Sequence, residues 1–155
     1  MRNIILFDPE KARQALLPLT FTRPVAMVRH GITTMLEKWQ RTIEGTYSFE
    51  TQDYLSTKYP LSLSNDGNDL FIAANLHPDK ELAEAILALE PGQALICNDE
   101  VIARNGNGEA GNVAYEGEPF AINHIWDLFM NNDEALRRDF EAITAGRKSQ
   151  PLSDS

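Results

Sequence analysis

A chain of 155 residues, 43% hydrophobic and 24% charged, has enough apolar side chains to bury one hydrophobic core, which excludes an intrinsically disordered protein. Its formal net charge of −9 argues against nucleic acid and anionic membranes as partners, because both repel an acidic surface. The single cysteine, Cys97, excludes an intramolecular disulfide and, with no signal peptide or membrane-spanning run, predicts a cytoplasmic protein.

The first third of the chain predicts a strand, a long loop and a helix. A continuous apolar run over residues 3–7 predicts a strand that is buried on both faces. Residues 10–30 contain two prolines, and their apolar residues follow neither helical nor strand periodicity, which predicts a structured loop. Apolar residues at helical spacing over residues 31–44 predict a helix, and Thr34 and Glu37 have the spacing of a capping box.

Strands and helices continue to alternate along the rest of the chain. Strands are predicted over residues 46–50, 70–74, 94–97 and 101–104, and helices over residues 53–59, 80–90 and 133–145. The turn at residues 98–100 predicts a hairpin between the last two strands. Gly106, Gly108 and Gly111 spell G-x-G-x-x-G, but no helix follows them, so a plain loop is favoured over a dinucleotide site.

The alternation predicts an α/β fold with a mostly parallel sheet and helices on both faces. Ligands of such sheets bind beyond the carboxyl ends of the strands, which here are residues 8–10 and 75–77. Trp39 and Trp126 are predicted to lie in the core, as is the apolar stripe of the last helix, which consists of Leu136, Phe140 and Ile143.

A family resemblance rests on residues 17–24, which read Leu-Pro-Leu-Thr-Phe-Thr-Arg-Pro and lie between the first strand and the first long helix. This segment resembles the R-P-L-T-x-x-x-P-K segment of sugar nucleotidyltransferases. Residues 21–32 and 37–39 resemble a divergent branch of that family. Its members are amino-terminal domains of bacterial proteins that resemble the bifunctional UDP-N-acetylglucosamine pyrophosphorylase/glucosamine-1-phosphate acetyltransferase. Residues 146–151 resemble the junction of those proteins with a left-handed β-helix acyltransferase domain.

The resemblance implies a Rossmann-like nucleotidyltransferase domain over residues 1–146 and a linker, residues 147–155, to a carboxyl-terminal β-helix domain absent from this chain. It implies an enzyme that joins a nucleoside triphosphate to a sugar-1-phosphate, releasing pyrophosphate with the help of Mg²⁺. The implied partners are a nucleotide sugar or sugar phosphate, and β-helix relatives imply a homotrimer for the full-length protein.

The chain departs from the family pattern in three places. Residues 8–14 replace the glycine loop, in which backbone N–H groups approach phosphates closely. Val25 replaces the lysine of the P-K pair, and an apolar side chain cannot neutralise a phosphate. Asn75 stands where a magnesium-binding aspartate is expected. These departures favour the alternative of a non-catalytic module that binds a sugar nucleotide or supports assembly of the β-helix domain.

The candidate catalytic residues are Arg23 and Arg29, because a guanidinium group binds phosphate with two hydrogen bonds. The alternative for each arginine is a structural salt bridge or a solvated surface position. Lys11 is a further candidate for a phosphate contact, with a solvated surface charge as its alternative. The resemblance and the strand ends give four substrate-binding candidates, which are Asp8, Arg13, Thr22 and Asn75. Asp8 is also the candidate metal ligand, and its alternative is a turn-forming residue before proline.

Overall fold

The computed structural model describes residues 1–153. The strands are β1 (Arg2–Phe7), β2 (Arg29–His30), β3 (Thr33–Thr34), β4 (Gly45–Glu50), β5 (Leu70–Ala73), β6 (Gln93–Cys97), β7 (Glu100–Asn105) and β8 (Gly111–Ala114). The α-helices are α1 (Glu10–Ala15), α2 (Met35–Thr42), α3 (Lys80–Leu87), α4 (Asp127–Met130) and α5 (Asn132–Thr144). Six strands form one sheet in the order β4-β1-β5-β7-β6-β8, and β2 and β3 form a separate antiparallel pair.

The central strand β1 pairs in parallel with both β4 and β5. Its residues Ile4, Ile5 and Leu6 are all completely buried. Because successive side chains of a strand point to opposite faces of the sheet, this burial requires that both faces are covered. The sheet is antiparallel only where β7 pairs with β5 and β6. The fold is therefore the mostly parallel α/β architecture that the sequence predicts.

The hairpin between β6 and β7 is confirmed, and its turn lies at the carboxyl end of β6. Asn98 and Asp99 have φ angles of 50° and 62°. Left-handed backbone at two successive residues is typical of a type I′ turn, which Asn and Asp tolerate better than other non-glycine residues. The turn brings Asn98 and Glu100 to the same edge of the sheet as the end of β5.

Side-chain caps set the beginning of two helices. The hydroxyl of Thr34 accepts a hydrogen bond from the N–H of Glu37 at 3.2 Å, and the Glu37 carboxylate accepts one from the N–H of Thr34 at 2.7 Å. This confirms the predicted capping box, and α2 begins directly after it. Asp79 caps α3 through its own side chain, because its carboxylate accepts a hydrogen bond from the N–H of Leu82 at 2.8 Å.

The structure differs from three predictions of local structure. Residues 10–30 contain α1 and two 3-10 turns, because burial of Ala12 and Leu16 in the core overrides the weak local pattern. Residues 111–114 form β8, an edge strand held by parallel pairing with β6 and not by burial of its side chains. Residues 53–59 form only a single 3-10 turn, since so short a segment does not sustain an α-helix without packing.

Helix α5 is rotated away from the predicted apolar stripe. Leu136 and Phe140, predicted to be buried, are 41% and 62% exposed, whereas Ala135 and Asp139 are buried. Asp139 faces inward because its carboxylate pairs with the buried ammonium group of Lys38 at 2.5 Å. A buried charge needs its partner, so this pair fixes which face of α5 meets the domain.

Asp139 also fastens the short β2–β3 hairpin to α5. Its carboxylate accepts hydrogen bonds from the backbone N–H groups of Ile32 and Thr33, at 2.8 and 3.1 Å. Gly31 has a φ angle of +74°, and a Cβ atom there would lie 2.7 Å from the backbone of Ala135. Helix and hairpin therefore approach closely only because residue 31 is a glycine.

The two tryptophans behave differently. Trp39 is completely buried, as predicted, and its indole N–H donates a hydrogen bond to the carbonyl of Leu76 at 3.0 Å. The prediction that Trp126 lies in the core is wrong, because this residue is 50% exposed. It stacks instead on His124, with ring centroids 4.4 Å apart.

Residues 147–153 are exposed and form no helix or strand, and Asp154 and Ser155 lie outside the described residues. The assignment of residues 147–155 as a linker stays a prediction. Within residues 1–153, no helix has the length and apolar character needed to cross a bilayer.

Candidate functional site

A cavity of about 470 Å³ opens at the carboxyl ends of β5 and β6. We call it the strand-end cavity. Its polar lining residues are Lys11, Asn75, Asn98, Glu100, Asn123 and His124, and its apolar lining residues are Pro9, Ala12, Ala15, Ala73, Leu76, Cys97, Val101, Ile102, Pro119 and Ala121. Open α/β sheets bind their ligands at this end of the strands. The strand-end cavity is therefore the candidate substrate site.

The lining of this cavity suits neutral polar groups better than a dense negative charge. Amide side chains at residues 75, 98 and 123 offer both donors and acceptors, which fits sugar hydroxyls and the edges of a nucleobase. Lys11 is the only Lys or Arg among the lining residues in the described chain. Its ammonium group pairs with Glu100 at 2.6 Å, and this hydrogen bond and the carboxylate charge raise the pKa of Lys11. Both side chains are largely exposed, so a phosphate group can replace the carboxylate.

Asn75, the predicted substrate-binding residue at the end of β5, lines the strand-end cavity. It is buried, and its amide nitrogen donates hydrogen bonds to the carbonyl of Ile122 and the side chain of Asn123, both at 3.3 Å. These bonds hold the amide in place and connect the end of β5 to the wall formed by residues 119–124. Its substrate-binding role stays a prediction.

Asp8 lies directly after β1, and each of its carboxylate oxygens accepts a hydrogen bond. The donors are the backbone N–H of Val25 at 2.9 Å and the hydroxyl of Thr51 at 2.6 Å. Burial raises the pKa of Asp8, and these two hydrogen bonds oppose the rise. Val25 is completely buried. Asp8 thus joins the end of β1 to the proline-rich segment and to the segment after β4.

Asp8 is a poor fit to magnesium. The ion prefers one or two carboxylates with free oxygen positions, together with water and substrate phosphates. Both oxygens of Asp8 are engaged, and Asp8 does not line the strand-end cavity. Within residues 1–153 there is also no group of three or more His, Cys, Asp or Glu residues that could hold a metal ion. The metal role of Asp8 is a prediction that this geometry does not support.

The predicted arginines lie outside the strand-end cavity. Arg13 pairs with Glu10 on the same helix at 3.1 Å, and this hydrogen bond raises the pKa of Arg13. The guanidinium group of Arg29 donates a hydrogen bond to the backbone carbonyl of Ile32. Arg23 is exposed, as is the neighbouring Thr22. The structure therefore does not bring these four candidates together with Asn75, and their functional roles stay predictions.

Two histidines form a buried pair behind the strand ends. Nδ1 of His30 lies 2.8 Å from Nε2 of His77, and His77 stacks on Phe120 with ring centroids 4.2 Å apart. Burial lowers the pKa of both rings, with His77 reduced to about 3, and the nearby charge of Lys38 lowers both pKa values further. Both imidazoles are neutral at physiological pH, and both rings pack against Phe120.

Comparison with known families decides the identity of the domain. A family model described as sugar nucleotidyl transferase matches residues 4–148. The chain belongs to this family. Comparison with curated proteins gives no match. The family membership confirms the resemblance at the level of sugar nucleotidyltransferases, while the closer resemblance to the UDP-N-acetylglucosamine enzyme stays a prediction.

Several residues that line the strand-end cavity of this sugar nucleotidyl transferase domain were not among the candidates from the sequence. Asn98 seemed only a turn former, although the hairpin places it beside the end of β5. Residues 119–124 carried no strand signal, yet the N–H of His77 bonds to the carbonyl of Phe120 at 2.7 Å, which pins this segment over the cavity. The helix α1 lies where the sequence resemblance implied a glycine loop, and it supplies Lys11, Ala12 and Ala15 to the cavity wall.

Proposed function

We propose that the strand-end cavity binds a nucleotide sugar, and that the domain forms it from a nucleoside triphosphate and a sugar-1-phosphate. The observation that supports the proposal most strongly is the family match over residues 4–148, in a fold whose cavity lies where α/β sheets bind nucleotides. The amides that line the cavity are the proposed contacts to the sugar hydroxyls and the base.

In the proposed reaction, a phosphate oxygen of the sugar-1-phosphate attacks the α-phosphorus of the triphosphate. The bond from that phosphorus to the bridging oxygen breaks, and pyrophosphate leaves with the electron pair. Such a transfer depends on positioning and on neutralising the phosphate charge. Lys11 is the proposed cation at the cavity mouth, and Arg23 and Arg29 remain proposed phosphate-binding residues at the loop. No step is assigned to magnesium, because Asp8 fits it poorly.

A second candidate function is a non-catalytic module that binds a nucleotide sugar and supports assembly with a partner domain. The cation-poor lining of the strand-end cavity favours it, since charge neutralisation is the main demand of phosphoryl transfer. Exposed apolar side chains on α4 and α5 also favour it. Phe129 is 71% exposed, Met130 67% and Phe140 62%. Under this second candidate function, the domain is attached to a carboxyl-terminal β-helix domain and the full-length protein is a homotrimer.

Pyrophosphate release tests the catalytic proposal. A panel of nucleoside triphosphates and sugar-1-phosphates is incubated with the wild-type protein, Arg23→Ala, Lys11→Ala and Lys80→Ala. Lys80 is the matched control, because Lys11 and Lys80 side chains are each 88% exposed and each pairs with a glutamate. We expect turnover that falls about tenfold or more in Lys11→Ala and not in Lys80→Ala, since a charged hydrogen bond to phosphate is lost.

The two candidates give different results in this experiment. A loss of turnover in Arg23→Ala supports the predicted role of the arginine. Absence of turnover with every substrate pair, together with saturable binding of a nucleotide sugar by calorimetry, refutes the catalytic proposal and supports the non-catalytic module.

A further inference from the structure

A second pocket lies on the side of the domain where α2 and α5 meet the segment after β5. We call it the α2–α5 pocket. It has a volume of about 170 Å³ and shares no lining residue with the strand-end cavity. A water molecule occupies about 30 Å³ in the liquid, so the pocket has room for a small tetrahedral anion. Three cationic side chains, Lys38, Arg41 and Arg138, line it with one carboxylate, Asp139.

This concentration of positive charge is unusual for a chain whose formal net charge is −9. Lys38 and Arg41 lie three residues apart on α2, which places them on one face of that helix. Arg138 comes from α5, directly beside Asp139. Two helices therefore direct three cations into one concave pocket that contains one carboxylate, and this excess of positive charge attracts an anion.

Asp139 does not cancel this attraction, because it lies beneath the cations. The residue is only 3% exposed, and its carboxylate is neutralised by Lys38 at 2.5 Å and Arg41 at 3.2 Å. The side chains of Arg41 and Arg138 are 33% and 39% exposed. The two guanidinium groups are therefore more accessible to an anion than the carboxylate is.

The guanidinium groups are held in place but keep free donors. Arg138 uses its Nε–H for a hydrogen bond to Glu134 at 2.8 Å, and its guanidinium group lies 4.6 Å from the ring centroid of Phe120. Arg41 uses one terminal nitrogen for hydrogen bonds to Thr33 and Asp139. A guanidinium group has five N–H donors, so each arginine retains donors that have no acceptor within residues 1–153.

The buried ammonium group of Lys38 contributes charge and not a direct contact. It donates to the carbonyl of His30 at 2.7 Å, to the hydroxyl of Thr33 at 3.2 Å and to Asp139 at 2.5 Å. These three bonds use all the donors of an ammonium group. The direct ligands of an anion are therefore Arg41 and Arg138, and paired arginines favour phosphate because each presents a planar fork of donors.

We infer that the α2–α5 pocket binds a phosphate group through Arg41 and Arg138, at a site separate from the strand-end cavity. The phosphate is either free inorganic phosphate or the phosphate of a small phosphorylated metabolite. The segment after β5 connects the two sites, because Asn75 and Leu76 line the strand-end cavity and His77 and Pro78 line the α2–α5 pocket.

The test is calorimetric titration of the protein with inorganic phosphate at constant ionic strength, set by chloride. The variants are Arg138→Gln, Arg41→Gln and the control Arg137→Gln. Arg137 is the neighbour of Arg138 on α5 and pairs with the same glutamate, but it does not line the pocket. We expect saturable binding that is about tenfold or more weaker in Arg138→Gln and Arg41→Gln and nearly unchanged in Arg137→Gln.

Further measurements separate the source of the phosphate and the location of the site. Tighter binding of a sugar phosphate, with the same dependence on Arg138, assigns the site to a phosphorylated metabolite, and equal or weaker binding assigns it to inorganic phosphate. Circular dichroism checks that each variant is folded.

The inference is overturned if the wild type shows no saturable binding, or if chloride replaces phosphate equally well. It is also overturned if binding survives both arginine substitutions, or is lost instead in Ala121→Trp, which fills the strand-end cavity.

Discussion

Replacing Asp139 by asparagine tests how the domain holds α5 against the β2–β3 hairpin. The substitution keeps the shape of the side chain but removes its charge, and Lys38 then lies buried without an anion. Removing one partner of a buried ion pair costs about 3–5 kcal/mol. Asparagine keeps one carbonyl oxygen for the backbone N–H groups of Ile32 and Thr33, so we expect a loss near the lower limit, about 3 kcal/mol.

Urea denaturation followed by circular dichroism measures this loss. A small protein loses about 1–3 kcal/mol of stability per molar urea, so the midpoint is expected to fall by about 1–3 M. Asp133→Asn is the control, because Asp133 is an exposed acid on the same helix, and surface substitutions change stability by about 0.5 kcal/mol or less. If Asp139→Asn is no more destabilising than Asp133→Asn, the reasoning about the buried pair is refuted.

The pH dependence of the same variant gives an independent check. Burial alone raises the pKa of Asp139, but hydrogen bonds from Lys38 and from the hairpin backbone lower it below the usual value. Because the pKa is lower in the folded state, the ionised carboxylate stabilises the protein at pH values above the unfolded-state pKa of about 3.9. This stabilisation is lost as the pH falls through the folded-state pKa. The stability gap between the wild type and Asp139→Asn should therefore narrow in acid, and a constant gap would contradict the charge-based explanation.

Three further stability predictions use the same denaturation assay. Gly31→Ala should cost about 2 kcal/mol or more of stability, because the added Cβ meets the backbone of α5. The control Gly67→Ala has a similar φ angle of +69° but no atom within 4 Å of the added Cβ, so it should cost only about 1 kcal/mol. Equal costs for the two substitutions would refute the close approach of helix and hairpin. Asp8→Asn should be at least as stable as the wild type at pH 7. The raised pKa of Asp8 gives a stabilisation that is present below pH ~3.9 and is lost as the pH rises through the folded-state pKa. A clear loss of stability in Asp8→Asn at pH 7 that becomes smaller in acid would contradict this sign. Thr34→Ala should cost about 1 kcal/mol through loss of the capping box, and an unchanged midpoint would exclude a stabilising role for the cap.

Local patterns were enough to predict five of the six strands of the sheet. The apolar run of β1, the capping box at Thr34 and the turn at Asn98 each act over a few residues, so each can be recognised without knowing the rest of the fold. The edge strand β8 could not be recognised, because backbone pairing with β6 defines it and its side chains remain exposed.

The candidate sites depend on contacts between distant residues, which the sequence does not display. Asp139 is 101 residues from Lys38, and their pairing turns α5 so that its apolar stripe faces outward. The same pairing assembles the α2–α5 pocket from two helices. The sequence identified the proline-rich segment that contains Arg23, but it could not show where the Arg23 side chain points. The end of that segment is fixed by the hydrogen bond that the N–H of Val25 donates to the carboxylate of Asp8.

The central claim is that the strand-end cavity holds the nucleotide sugar, and calorimetric titration with UDP-N-acetylglucosamine and related nucleotide sugars tests it most directly. The variant Ala121→Trp places a large side chain in the cavity, and Ala114→Trp adds the same side chain at an exposed position of β8. We expect saturable binding of one nucleotide sugar to the wild type and to Ala114→Trp, weakened about tenfold or more in Ala121→Trp. Binding that is equally strong in folded Ala121→Trp, or absent for every nucleotide sugar in the wild type, would contradict the claim.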